Sequence, residues 1–77
     1  MTTQKIVLNN QWQQVSDGTK DHALQILNGI ALVTESVNKP DDDAAGHIVS
    51  GWVCLKASGE SIWVKTGGVS GVTAILT

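Results

Sequence analysis

The chain has 77 residues and a formal net charge of −2, with five lysines and no arginine. This length fits a single domain, residues 1–77, whose core contributes only about 3–5 kcal/mol of net stability. Because arginine is the preferred fork for phosphate groups, its absence argues against nucleic-acid binding.

Targeting and cross-linking signals are sparse. No apolar run resembles a signal peptide or approaches the roughly 20 apolar residues of a membrane span, so we expect a cytosolic origin and no membrane contact. The lone Cys54 cannot form an intrachain disulfide, and no Cys/His cluster has zinc spacing. The expected supplement to a small core is therefore oligomerisation or docking on a larger partner.

The first half of the chain predicts short strands. Residues 5–8 form a β-branched run, and alternation resumes over residues 12–15 before a turn at residues 17–18. Residues 24–33 fit either a helix face or two strands, and the Asn-Gly pair at 28–29 favours a hairpin. That hairpin would pair Leu24 with Val33 and Ile26 with Ala31 on one apolar face.

The second half begins with a loop over residues 37–46, which contains Pro40 and three consecutive aspartates. Residues 48–55 predict a strand, with Gly51 marking a bulge or a close backbone contact. Residues 61–66 and 72–77 flank the small-residue turn 67–71 and predict a closing hairpin. A terminal strand of this kind needs cover, because an unpaired edge is a site of association.

Motifs that could carry catalysis are weak. The run Gly68-Val69-Ser70-Gly71-Val72 is nearly a nucleophile elbow, but the motif requires glycine in the last place, so we interpret it as a turn. His22 and His47 are the only imidazoles, and neither has a nucleophile motif beside it. We therefore assign no catalytic residue and predict that the chain is not an enzyme.

Three acidic side chains raise the question of a cation. Asp41, Asp42 and Asp43 supply hard oxygen atoms of the kind that calcium binds, but adjacent residues in extended backbone point apart. We expect a solvated loop, no metal and no cofactor. Cys54 fits either a buried small residue or one that lines a strand face.

The three tryptophans carry all the aromatic content of the chain. Alternation places Trp52 and Trp63 on the faces opposite the aliphatic residues of their strands. They would complete a core if both faces are buried, anchor a protein interface, or form a sugar-stacking platform on adjacent strands. These three alternatives stay open at the level of sequence.

The order of strands and turns resembles that of small β-sandwich virion proteins of tailed bacteriophages. The segments that carry the resemblance are Trp12, residues 24–29, residues 30–35, Pro40, Gly46, Ile62-Trp63-Val64-Lys65 and the strand 72–77. In that family an aromatic residue, a branched residue and a basic one precede a small-residue turn and a terminal strand. Here the basic residue is Lys65, whereas the family usually has arginine, so the charge is kept without the fork geometry.

The resemblance implies a capsid decoration or cement protein in the virion, made in the host cytoplasm. Its partners would be the major capsid protein or other virion proteins, and it would form a homo-oligomer, with a trimer favoured. A tail, baseplate or head-fibre adaptor is the alternative within the same class, and a carbohydrate-binding module is the alternative outside it.

The turn spacing predicts an all-β fold, a small antiparallel β-sandwich or Greek-key barrel of about six to eight short strands. Interface candidates come from the outward tryptophans, the end of the chain and the acidic loop. They are Trp52, Trp63, Ile75, Leu76, Thr77, Asp41, Asp42 and Asp43.

Overall fold

A computed structural model describes residues 3–68 and 71–77 of the chain. Within these ranges, six strands form one curled antiparallel sheet and no helix is present, which confirms the predicted all-β class. The strands are β1 (Gln4–Val7), β2 (Gln13–Ser16), β3 (His22–Glu35), β4 (His47–Leu55), β5 (Ile62–Thr66) and β6 (Thr73–Leu76).

The long strand β3 organises the sheet, because it pairs with three other strands. Its first half pairs with β6 and its second half with β5 along one edge, while β4 runs along the other edge. Strand β1 lies beyond β6 and β2 lies beyond β5, which gives the order β1-β6-β3-β5-β2 with β4 beside β3. Because β3 changes partners midway on one edge, the sheet consists of two half-sheets that share β3 and β4.

The core lies on the concave side of the curled sheet. Leu24, Ile26, Ala31 and Val33 all lie on this side and are at most 8% exposed, which confirms the predicted apolar face of this segment. Other fully enclosed side chains come from β5 and from the segments that flank β1 and β6: Leu8, Ile62, Val64 and Val72. All the strands except β4 are short or buried along one face, so β4 is the strand with the most exposed side chains.

The prediction of a hairpin at Asn28-Gly29 is wrong, because β3 continues through both residues without reversing direction. The chain bulges instead: Ile26 pairs with Gly51 and Ala31 with Val49, so four residues of β3 oppose one of β4. A positive φ of 72° at Gly29 allows this bend. Here the conformational freedom of an Asn-Gly pair serves a bulge inside a strand, so the Leu24–Val33 and Ile26–Ala31 pairings do not form.

Long-range hydrogen bonds fix the bulge. The Asn28 side chain donates to the Gly71 carbonyl oxygen at 3.2 Å and accepts from the Thr73 N–H at 3.0 Å. The Cβ of any residue larger than glycine at position 29 would lie 3.1 Å from Val72. The bulge therefore docks on the segment that enters β6, and its conformation depends on residues more than 40 positions away.

The predicted closing hairpin is also wrong. Strands β5 and β6 do not pair with each other, because β3 separates them. Val69 and Ser70, in the segment between these strands, lie outside the described residues. Ser70 is the central residue of the motif that resembles a nucleophile elbow. Strand β6 is paired by β1 on one edge and by β3 on the other, so the last strand takes its cover from within the chain.

Two turns lock together at one end of the sheet. Gly18, in the turn after β2, accepts a hydrogen bond from the Gly59 N–H at 3.1 Å. The backbones are so close that a Cβ on Gly18 would lie 2.2 Å from the carbonyl oxygen of Glu60. Gly18 and Gly59 both have positive φ values, of 85° and 88°, so both turns require glycine for conformational reasons.

Candidate interaction surface

The most exposed apolar surface of the sheet belongs to β4. Its outward side chains are Ile48, Ser50, Trp52 and Cys54, and the Ile48 and Trp52 side chains are 70% and 68% exposed. The strand contains no lysine, arginine, aspartate, glutamate or proline. Exposed tryptophan is a costly feature for an isolated surface and is enriched where proteins bind each other.

Within residues 3–68 and 71–77, no strand pairs with the outer edge of β4, so this free edge also presents unpaired backbone groups. Residues Ala23 and Thr77 exchange both N–H···O bonds at 3.0 and 2.9 Å, so the backbone of Ala23 points toward β6. Because backbone directions alternate along a strand, Leu24 points toward β4, where its partner is Val53. The neighbouring β4 residue Trp52 therefore directs its N–H and C=O away from the sheet.

The second half of β3 gives the same result independently. The Gly67 N–H donates to the Ile30 carbonyl oxygen at 2.9 Å, so the backbone of Ile30 points toward β5 and that of Ala31 toward β4. Ala31 pairs with Val49. Both halves of β3 thus place the odd-numbered residues of β4 against the sheet, and the outward backbone groups are those of the even-numbered residues 48, 50, 52 and 54.

A shallow apolar groove of about 310 Å³ lies under the inner face of β4. Its floor is formed by Val33, Val49, Val53, Leu55 and Ile62, which continue the core toward this edge. Polar groups stand around its rim: Glu35, His47, Cys54 and Lys56. An extended segment placed beside β4 would therefore find backbone partners along the edge and apolar contacts beneath it.

The other two edge strands differ from β4 in length and composition. Strand β1 has four residues and includes the exposed Lys5, and β2 has four residues with a register shift between Gln14 and Ser16. Short length, a lysine and a bulge are the devices by which natural sheets discourage edge-to-edge pairing. Strand β4 has nine residues and no lysine, so it lacks the first two of these protections.

The three tryptophans occupy different environments. Trp12 is 2% exposed, and its indole N–H donates to the Asp41 carbonyl oxygen at 2.8 Å. Trp63 is half-buried, and its indole N–H donates to the Ser36 carbonyl oxygen at 2.9 Å. Trp52 is the exposed one. Trp52 and Trp63 are not on adjacent strands as predicted, because β3 lies between β4 and β5, so the two rings do not form one platform.

The interface candidates at the end of the chain alternate between the buried and the outer face of the sheet. Leu76 is 7% exposed and belongs to the core, so its side chain is used inside the domain. Ile75 and Thr77 are half-buried on the outer face, where Ile75 lies opposite Gln25, which in turn lies opposite Trp52. Ile75 is therefore part of the same outer face as the β4 side chains. Cys54 is exposed on that face as well, which fits a residue lining a strand face and contradicts burial.

The acidic loop is held by its backbone, with its carboxylates left in solvent. Asp41, Asp42 and Asp43 are all exposed, while the carbonyl oxygens of Asp41 and Asp42 accept hydrogen bonds from Trp12 and from the Lys65 ammonium. The same ammonium lies 4.8 Å from the centre of the Trp12 ring, at cation–π distance. Among the described residues, no group of three or more His, Cys, Asp and Glu side chains is placed to hold a metal ion.

The two histidines lie apart. Nδ1 of the half-buried His22 is 3.2 Å from the Thr77 carbonyl oxygen, and His47 is exposed at the start of β4. Within residues 3–68 and 71–77, neither ring is hydrogen-bonded to a serine or aspartate side chain. No helix in this part of the chain is long and apolar enough to cross a membrane.

Comparisons with protein-family models, with curated proteins and with solved structures found no match to this chain.

Proposed function

We propose that the chain is a structural protein that works by assembly, as a capsid decoration protein of a tailed-phage virion. The observation that carries the proposal is the free edge of β4, where Trp52 and Ile48 lie exposed on an uncharged nine-residue strand. A surface of this kind gains free energy by being covered. The virion role itself comes from the pattern that the sequence shares with small phage β-sandwich proteins.

The mechanism is non-covalent. Apolar side chains and backbone groups of the outer face would be buried against neighbouring subunits and against the capsid lattice, which would hold adjacent capsomers together. The partners are further copies of the chain and the major capsid protein, and the resemblance implies a trimer. A tail, baseplate or head-fibre adaptor would use the same surface, so location in the particle separates these roles.

The test is incorporation into particles. Virions purified from a host that produces the tagged chain are separated into heads and tails, and each fraction is probed for the tag. We expect the chain in the head fraction, at a fixed ratio to the capsid protein. Recovery in the tail fraction supports the adaptor role, and absence from all particles overturns the proposal.

Two matched variants connect incorporation with the surface. Trp52→Ser removes the exposed ring of β4, whereas Val37→Ser removes a side chain of similar exposure, 71%, from the loop after β3. We expect Trp52→Ser to lower incorporation at least tenfold and Val37→Ser to leave it unchanged. Equal incorporation of both variants contradicts the role of β4.

A carbohydrate-binding module is the second candidate, since the exposed Trp52 ring is a surface on which a sugar can stack. Titration with a panel of oligosaccharides, followed by tryptophan fluorescence, tests it. A saturable shift that disappears in Trp52→Ser favours this candidate, and an unchanged spectrum across the panel rules it out.

A further inference from the structure

We infer that the free edge of β4 pairs with the same edge of a second copy, in antiparallel orientation about a two-fold axis at Gly51. This inference deepens the proposed assembly function, because it names the partner and the register. It rests on three features of the described residues: the direction of the outward backbone groups, the position of the bend in β4, and the self-complementary order of its side chains.

The backbone groups define the register. The outward N–H and C=O groups belong to Ile48, Ser50, Trp52 and Cys54, as shown by the hydrogen bonds on either side of β3. With the axis at Gly51, Ile48 of one copy faces Cys54 of the other, and Ser50 faces Trp52. All four residues then exchange hydrogen bonds with a counterpart, whereas an axis at residue 50 or 52 leaves one of them without a partner in β4.

The bend in β4 selects the same axis. Gly51 has a φ of 62°, which interrupts the regular strand, and a Cβ placed on it meets no atom within 4 Å. A two-fold axis at this residue places the Gly51 residues of the two copies directly opposite each other, so the irregular position of one strand faces that of the other. Glycine within a strand is typical of a position where another backbone approaches closely.

The side chains match across this axis. On the inner face, Val49 of one copy lies opposite Val53 of the other, which extends the apolar floor of the groove. On the outer face, the two Trp52 residues are diagonal neighbours with Cα atoms about 7–8 Å apart, a separation that aromatic side chains can span. No lysine, arginine, aspartate or glutamate lies in β4, so pairing brings no like charges of these types together.

A second copy explains this edge better than an unrelated peptide does. A single peptide would need backbone groups, small inner side chains and a bend at matching positions, and β4 itself supplies all three. The contact is closed, since each copy uses the whole edge, so this surface yields pairs of subunits in place of the trimer that the resemblance implies.

The first experiment measures the mass of the isolated protein over a concentration series by sedimentation equilibrium. We expect a reversible monomer–dimer equilibrium in the micromolar range. Trp52→Lys would place a pair of lysines near the axis and should weaken association at least tenfold, while Val37→Lys, at a site of similar exposure, should not change it. Circular dichroism shows that each variant is folded.

The second experiment tests the register by cross-linking. In Ile48→Cys, the new thiol of one copy faces the native Cys54 of the other at a Cα separation of about 5.5 Å, within disulfide range. Within one copy the same two residues are about 20 Å apart along the strand, so only an intermolecular disulfide forms. Mild oxidation should therefore give a covalent dimer at least tenfold faster than it does with wild type or with Val37→Cys.

The outcomes separate the dimer from the proposed function. A chain that stays monomeric at millimolar concentration, assembles as a trimer, or cross-links no faster in Ile48→Cys than in Val37→Cys overturns the two-fold pairing, whether or not it enters virions. A register-specific dimer that is absent from all particles supports the pairing and overturns the virion role.

Discussion

The substitution Gly18→Ala should destabilise the protein strongly, because the turns that contain Gly18 and Glu60 approach each other closely at this residue. An L-residue in the left-handed region costs about 1–2 kcal/mol. The Cβ at position 18 would also lie 2.2 Å from the Glu60 carbonyl oxygen, and since both groups are backbone, relief requires the two turns to separate. Overpacking of this kind costs about 1–3 kcal/mol. We expect a total loss of about 2–5 kcal/mol, comparable with the whole stability of a domain of this size.

Gly59→Ala is the matched control. Gly59 has nearly the same φ as Gly18, 88° against 85°, but a Cβ on it meets nothing within 4 Å. The conformational cost and the effect on the unfolded chain are therefore shared. The difference between the two variants isolates the contact with Glu60, and we expect it to be about 1–3 kcal/mol in favour of Gly59→Ala.

Urea unfolding followed by tryptophan fluorescence measures both variants, with the thermal midpoint as a second readout. A difference of about 1 kcal/mol corresponds to roughly 4–8 °C for a domain of this size. Equal free energies of unfolding for Gly18→Ala and Gly59→Ala would refute the reasoning, because they would show that the turns separate at no cost.

Three further predictions concern single side chains. Trp12→Phe removes an indole hydrogen bond and should lower the free energy of unfolding by about 1–2 kcal/mol and speed hydrogen exchange in the acidic loop, whereas Trp52→Phe should change neither. Asn28→Ala removes two hydrogen bonds that fix the bulge and should cost about 1–2 kcal/mol in urea unfolding, while Asn28→Asp, which keeps the acceptor, should cost less. Hydrogen bonds from the Thr19 hydroxyl and N–H to the Asp17 carboxylate hold the pKa of Asp17 below its ordinary value of 3.8. These bonds therefore stabilise the folded protein fully above pH 3.8. The stabilisation is lost as the pH falls through the lower pKa that Asp17 has in the folded protein. An NMR titration of Asp17 should show this low midpoint and a rise toward 3.8 in Thr19→Ala.

The sequence predicted which side chains face the core better than it predicted which strands pair. Leu24, Ile26, Ala31 and Val33 lie on one buried face, as their alternation indicates, yet they belong to one continuous strand. Alternation records only the environment of each side chain. Strand partners depend on contacts between distant residues, which a local pattern does not contain.

The same limit explains the Asn28-Gly29 error. The local rule for a tight hairpin is overridden by hydrogen bonds from Asn28 to the segment before β6 and by the packing of Val72 against Gly29. The residues that hold the bulge are Gly71, Val72 and Thr73, more than 40 positions away along the chain. Alternation placed Trp52 on the face opposite Val53 and Leu55, whereas its exposure and the openness of its strand edge required the sheet order.

The environment of Trp63 was open at the level of sequence because alternation alone does not say whether the outer face is covered. The structure gives a mixed answer: the ring is half-buried and its indole N–H is hydrogen-bonded to Ser36. Trp63 thus fixes the start of the loop after β3 through this hydrogen bond. Trp52 is the tryptophan whose ring is exposed for contact with a partner.

The pairing of β1 with β6 has a consequence for how the protein is made. Gln4 lies opposite Leu76, so the other four strands, β2–β5, lie between these two along the chain. The ribosome synthesises β6, the partner of β1, only after the other strands. The length of chain that must close into a loop when β1 pairs with β6 is therefore long. Folding should consequently be a late, cooperative event on a timescale of milliseconds to seconds, and the nascent chain should stay sensitive to proteases until Thr73–Leu76 has emerged.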